Sequence, residues 1–338
     1  RWGTMSFEDV ARRAIEHAEL GFPLRPRTTR SIESEIDFIN QWPSNQRYWL
    51  KAAGSFYKAG ETIKLPTLAN TFKKMVDAER ANASNGREAG IVAARDRFYK
   101  GDIAEEMVAF LQQHGAAYEL ADFADFYARI EEPVATTYKG YTVYKQAFNS
   151  QGPTLLQALN ILENFDLQAM GHNSADYLHV IVETLKLAYA DRDSYYADPE
   201  FVDVPETGLL SKAYARQRAA EIDMSRSSAV FSAGNPLPFD PDVNHWPYWV
   251  AGEGEAVASL AANLADHPES LKDTSHVAII DEEGNVFDST PSGGWIGGAV
   301  ILGETGIGMS VRGEQFWLDK TKAAQLRPRS RPRYTLTP

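Results

Sequence analysis

The sequence predicts a layered α/β protein, on three observations. Amphipathic helical segments lie upstream, a strand-turn-strand pattern follows residue 276, and no fixed-period repeat or low-complexity tract points to a solenoid or a disordered chain. The first helix is expected to open at Ser6, which with Asp9 forms a capping-box pattern, and to carry Val10, Ala11, Ala14, Ile15 and Ala18 at helical spacing before Gly21. A second is expected over Asp102–Gln113, with Ile103, Ala104, Met107, Phe110 and Leu111 on its apolar side and Gly115 just past its end. Residues 141–144 read as strand, being aromatic and β-branched after Lys139-Gly140. A third helix is expected to start at Pro153, where the missing amide hydrogen costs nothing, and to run through Leu155, Leu156, Leu159 and Leu162. Ser174 caps a fourth, through Leu178, Ile181, Val182, Leu185 and Tyr189 toward Asp191.

From 231 to 267 the pattern weakens into Pro, Asn, Asp, Gly and Trp, which reads as a mostly irregular connector with a short helix at 256–264. Then Val277-Ala278-Ile279-Ile280 and Val286-Phe287 flank Asp281-Glu282-Glu283-Gly284-Asn285, where Gly and Asn make positive φ cheap. Their consecutive apolar residues predict strands covered on both faces.

A chain of 338 residues that is 43% hydrophobic can bury a sizeable core, and at roughly 150 residues per domain it implies about two domains. Its net charge of -12 repels phosphate backbones and anionic surfaces, so nucleic acid is not an expected partner and small molecules or peptides are. No window reaches the roughly 18 uninterrupted apolar residues of a membrane span. The absence of cysteine removes disulfides, thiolate catalysis and cysteine-based metal sites, and leaves the redox compartment open. The chain opens on Arg1 with no signal-peptide pattern after it, so the start of the gene product is expected to lie outside this sequence.

The histidines show no His-Glu-x-x-His spacing, so no catalytic metal is expected. Gly303, Gly306, Gly308 and Gly313 lack the strand and helix of a dinucleotide site, and are expected to permit tight turns or close backbone approach. The stretch Arg327-Pro328-Arg329-Ser330-Arg331-Pro332-Arg333 is too short and isolated for a nucleic-acid surface, and Asn82-Ala83-Ser84 is a glycosylation sequon by pattern only. Asp191, Asp193 and Asp198 read as a solvated helix end with its following turn. A lone His276 carries no catalytic role.

The chemistry centres on Thr274, which stands between a polar, irregular approach ending in Lys272-Asp273 and the strand that begins at Val277. A threonine hydroxyl is a weak nucleophile at neutral pH. Once the peptide bond before it is cut, the new α-amino group, with a reference pKa of about 7.7–8.0, can serve the same residue as base. By itself Asp-Thr-Ser-His is better read as a polar turn entering a strand.

Separated blocks of the chain resemble the γ-glutamyltransferase family. Arg97-Phe98-Tyr99-Lys100-Gly101-Asp102-Ile103-Ala104 is similar to its "FYKG-IA" block, Tyr138-Lys139-Gly140-Tyr141 to its "YRGY" strand, and Asn160-Ile161-Leu162-Glu163-Asn164-Phe165-Asp166 to its "NILE-F-" helix end. Ala188-Tyr189-Ala190-Asp191-Arg192, followed by Ala197-Asp198-Pro199, resembles its "AYADR" helix and turn, and Thr274-Ser275-His276 with Asp281 to Asn285 resembles the "TTH…D-DGN" entry to its small subunit.

That resemblance implies a four-layer αββα sandwich of the N-terminal nucleophile hydrolase type, acting without cofactor. It implies a precursor cut between Asp273 and Thr274, with residues 1–273 belonging to the large subunit, including a connector at about 231–273, and 274–338 to the small one. A higher oligomer is left open. Thr274 aligns with the nucleophile and Ser292 with the hydroxyl that bonds it. Glu314-Gln315 stand where the family carries an acidic pair for the substrate's α-amino group, and Tyr334-Thr335 where it carries two serines for the α-carboxylate. Both departures leave the acyl specificity open between γ-glutamyl groups, the side chains of β-lactams and other N-acyl compounds, and an unprocessed binding or scaffold homologue is the rival from another class. The resemblance also implies that the chain begins after the substrate-clamping arginine and stops before the oxyanion glycines. It implies a periplasmic or secreted setting, and the sequence does not exclude the cytoplasm.

Overall fold

Ser6 opens the first helix as the sequence predicts: its Oγ accepts from the Asp9 amide at 3.0 Å, and the Asp9 carboxylate accepts from the Ser6 amide at 3.4 Å. The computed structural model of the protein describes residues 3–229, 231–251 and 275–332. These fall into two compact units, one of residues 3–129 with Ser275 and 291–311, the other of residues 130–251 with 276–290 and 312–332.

In the first unit, α1 (Phe7–Leu20) ends at Gly21, whose φ of 94° favours glycine and where a Cβ would lie 2.7 Å from the Ile63 carbonyl oxygen. β1 (Phe22–Pro23), α2 (Pro26–Ser34), α3 (Ile36–Gln41) and α4 (Pro43–Trp49) follow, and β2 (Thr62–Ile63) returns to pair antiparallel with β1. Then come α5 (Pro66–Ala81), α6 (Arg87–Lys100), α7 (Asp102–Gln113) and α8 (Leu120–Ala124). The buried Glu79 carboxylate on α5 accepts from the Phe7 and Glu8 amides at 2.6 and 2.8 Å, satisfying first-turn donors that α1 itself cannot. One core gathers Leu24, Ile32, Ile39, Ile63 and Ile296; another gathers Ile103, Met107, Leu111 and Leu302.

The segment 291–311 is fastened to these helices by backbone-directed bonds. The Asn45 amide donates to the Ala299 carbonyl at 3.0 Å while its oxygen accepts from the Ile301 amide at 2.8 Å, and Thr71 Oγ1 donates to the Thr305 carbonyl at 2.7 Å. Gly306, at φ 69°, lies so near α5 that a Cβ there would sit 2.5 Å from the Leu68 nitrogen, the close approach expected of this glycine-rich stretch.

In the second unit, β3 (Val134–Tyr138) and β4 (Tyr141–Lys145) form a hairpin whose two turn residues, Lys139 and Gly140, have φ of 47° and 87°. Next are α9 (Gly152–Leu162), α10 (Leu167–Met170), α11 (Ala175–Tyr195, with Ser174 Oγ accepting from the Tyr177 amide at 3.1 Å), α12 (Glu206–Leu210) and α13 (Lys212–Ala219). Phe148, Tyr195, Tyr196, Leu209 and Tyr214 pack one core and Ile161, Leu187 and Ala215 another. Residues 231–251 are irregular as predicted, apart from a single 3-10 turn at Leu237–Phe239; the rest of the connector and its short helix at 256–264 lie outside the described residues.

β5 (Val277–Ile280) and β6 (Val286–Ser289) pair antiparallel, Ile280 opposite Val286, so the strand-turn-strand reading holds. The expectation that both faces are covered does not: Ile280 is 73% and Val286 69% exposed among the described residues. A run of apolar residues reports β preference but not what packs on the strand. α11 shows the same separation between apolar pattern and burial. Its apolar stripe of Leu178, Val182, Leu185 and Tyr189 faces outward, while the buried face carries Val180, Thr184, Leu187, Ala188 and Asp191. The whole is the mixed α/β class that the sequence predicts. No helix among the described residues is long and apolar enough to cross a membrane.

Candidate active site

Asp273, Thr274, Tyr334 and Thr335 lie outside the described residues, so the site is built from their neighbours. The Ser275 amide donates to the Pro291 carbonyl at 3.1 Å. This bond joins the residue that follows Thr274 in sequence to the one that precedes Ser292. Half-buried Ser292 opens a turn in which the Gly293 carbonyl accepts from the Val311 amide at 3.0 Å. Gly294, at φ 79°, leaves no room for a side chain, since a Cβ would lie 2.6 Å from Val311 Cγ2 and 3.1 Å from the Gly297 carbonyl oxygen.

His276, just before β5, is exposed but held: Nδ1 lies 3.0 Å from Thr290 Oγ1 and Nε2 3.3 Å from the Asp288 carboxylate. Both partners reach it from β6 and its end, fixing a polar cross-strand cluster at the strand entry. Glu314 and Gln315 sit in the 3-10 turn Arg312–Gln315, Glu314 exposed and Gln315 half-buried; they belong to the second unit, Ser292 to the first.

Of the three carboxylates read as a solvated helix end, Asp193 is partly exposed and pairs with Arg192 at 2.9 Å, whereas Asp191 and Asp198 are buried. Asp191 accepts from Gln157 Nε2 at 3.0 Å, the Tyr214 hydroxyl at 2.8 Å and the Gly234 amide at 2.9 Å, with the Arg218 guanidinium 3.5 Å away. Burial pushes its pKa up, and Arg218, the Gly234 amide and Tyr214 oppose that push. All three hydrogen bonds come from donors, which suits an ionised carboxylate. Asp198 accepts from the Arg331 amide at 2.9 Å and its guanidinium at 2.9 and 3.2 Å. Burial raises its pKa, and the Arg331 bonds more than offset this, holding it below the ordinary range. The basic stretch thus contributes an internal ion pair, with Arg331 also meeting Glu131 and Arg327 bonding the Tyr248 hydroxyl at 2.9 Å. A signal for Asp191 was present in the sequence, because it repeats at helical spacing with Val180, Thr184 and Leu187. Among the described residues no group of three or more His, Asp or Glu side chains could hold a metal ion.

The fold is that of the N-terminal nucleophile hydrolase class. It is shared with the gamma-glutamyltranspeptidase of Helicobacter pylori, at a TM-score of 0.61 and 26% identity over 67% of this chain and 61% of that one, and with the cephalosporin acylase of Bacillus halodurans, at a TM-score of 0.74 and 24% identity over 98% of this chain and 52% of that one. Within that class the gamma-glutamyltranspeptidase family model matches residues 1–338, and the chain belongs to that family. Among curated relatives, a glutathione hydrolase-like YwrD proenzyme of Bacillus subtilis is 33% identical over 340 residues, covering 100% of this chain and 54% of the relative. An acylase ACY 1 proenzyme of a Pseudomonas species is 27% identical over 309 residues, covering 91% and 47%. The chain therefore spans about half the length of the curated relatives it matches.

Proposed function

We propose that the protein is a γ-glutamyltransferase-like amidohydrolase and acyltransferase that cuts itself between Asp273 and Thr274 and then uses Thr274 as its N-terminal nucleophile. The observation that carries the reading is the Ser275–Pro291 backbone bond at 3.1 Å, which supports a pairing of Thr274 with Ser292 in a chain of this family. In the first reaction Thr274 Oγ attacks the Asp273 carbonyl carbon. The C–N bond breaks, the α-amine takes the proton, and water opens the resulting ester. In turnover the freed amine accepts the hydroxyl proton while Oγ attacks the substrate amide, the leaving amine departs protonated, and the acyl group passes to water or an acceptor amine. Ser292 bonds and orients the nucleophile. Glu314 faces the substrate's ammonium, with Gln315 beside it, and Thr335 with Tyr334 serves its carboxylate. Residues up to 273 form the large-subunit part and 274 onward the small.

A second acyl specificity is favoured by one observation: Gln315 leaves a single carboxylate, Glu314, where an ammonium-binding pair is expected, and an acylase proenzyme is among the relatives. Electrophoresis and mass spectrometry of the full-length protein test the proposal. We expect two fragments with one beginning at Thr274, a single inactive band for Thr274→Ala, and γ-glutamyl-anilide cleaved faster than a glutaryl amide. Turnover by Thr274→Ala would overturn the mechanism; preference for the glutaryl amide would transfer the assignment to the acylase reading. For Ser292→Ala, kcat should fall by roughly tenfold, about 1.4 kcal/mol of transition-state stabilisation.

A further inference from the structure

We propose that a cavity in the first unit, between α4, the start of α5 and residues 301–304, binds a small organic carboxylate. Its volume of about 650 Å³ suits a small molecule. None of its lining residues belongs to the candidate active site.

Three features make it an anion site rather than a surface dent. Ser44, which lines the cavity, is only 5% exposed, and its hydroxyl has no hydrogen-bond partner among the described residues. A buried hydroxyl without a partner is costly, and a ligand in the cavity that it lines would supply one. The 16-residue α5 begins at the cavity with Pro66 and no side chain caps its first turn, so the positive end of its dipole is unanswered. Lys64, one residue before the Leu65 N-cap, lines the same space and makes no ion pair among the described residues.

The other charges there are already matched. Arg47 pairs with Glu304, and Lys51 with Glu61 at 2.6 Å, which leaves Lys64 as the uncompensated cation. Tyr48 adds a phenol that burial pushes up to about 12, so it stays a donor at neutral pH. Leu50, Tyr57, Leu65 and Ile301 supply the apolar wall. One free ammonium, hydroxyl donors and a helix terminus facing an apolar wall fit a monoanion with a hydrocarbon or aromatic body. A phosphate dianion would bring a second charge that the one uncompensated ammonium among the described lining residues does not match, and it would have no use for the apolar wall.

The probe is benzoate, with benzamide as its neutral isostere and inorganic phosphate as the rival anion, titrated into the full-length protein by ligand-observed NMR. Benzoate should bind about tenfold more tightly than benzamide. Lys64→Gln should weaken benzoate about fivefold and leave benzamide unchanged. Ser44→Ala should weaken benzoate as well, and both variants should keep the wild-type melting temperature and anilide hydrolysis. Equal binding of benzoate and benzamide, tighter binding of phosphate, or benzoate binding indifferent to Lys64→Gln would each overturn the proposal.

Discussion

Asp191 shows what a single side chain can hold together. Its carboxylate collects donors from α9, α13 and the Gly234 backbone, and it neutralises Arg218, which is 1% exposed. Removing one member of a buried pair leaves the other charge uncompensated, so Asp191→Ala should cost roughly 3–5 kcal/mol in urea unfolding. Tyr214→Phe, losing one hydrogen bond to a charged group, should cost about 1.5–3 kcal/mol. The sequence placed Asp191 on a helix correctly and its environment wrongly, because the residues that bury it, Arg218 and Gly234, are distant in the chain. The threonine proposed as nucleophile was reached by a different route. Asp273-Thr274-Ser275-His276 alone fits an ordinary strand entry, and only the blocks of family resemblance gave Thr274 and Ser292 their roles.

Local signals with a fixed stereochemical cause read cleanly at the level of elements. The Ser6 capping box, the Ser174 cap, the Pro153 helix start and the Asp102–Gln113 span all appear where expected, since each depends on residues a few positions apart. Ser174→Ala should therefore destabilise by about 1 kcal/mol. Faces read poorly. The stripe from Leu178 to Tyr189 has the period of a buried surface yet faces outward, and the residues that α6 fully buries, Gly90 and Ala94, are small ones that carry little apolar signal. Asp102 at the start of α7 ties three helices, through Arg97 of α6 at 2.9 Å and Lys74 of α5 at 2.9 Å. Chiefly through the Arg97 bond, its pKa drops from 3.8 to about 2. A depressed carboxylate stabilises the fold above its unfolded pKa and loses that effect as pH falls through the folded value. Asp102→Asn should thus be less stable than wild type at pH 6, by under about 1 kcal/mol because solvent screens the pair. That gap should close on acidification from the ordinary carboxylate value toward about 2, as followed by thermal melts.

For the molecule as a whole, the α/β class, a count of about two domains and the irregular 231–251 segment could be read from the sequence, whereas which residues make up each unit could not. Residues 291–311 join the first unit although they follow the second unit's helices in the chain, and nothing local in the sequence marks such a return. The return bears on what a cut between 273 and 274 would do. The first unit is made of chain from both sides of that bond, fastened by Asn45 to 299 and 301, by Thr71 to 305, and by the Gly306 backbone lodged against Leu68. Severing the peptide would release an amine without releasing a polypeptide. The two products would stay interlocked like a latch and its keeper, eluting together in native chromatography and separating only in denaturant. Covalent continuity could then be given up for chemistry at little risk to the architecture, because the load that it carried in the nascent chain has already passed to an amide side chain and a glycine.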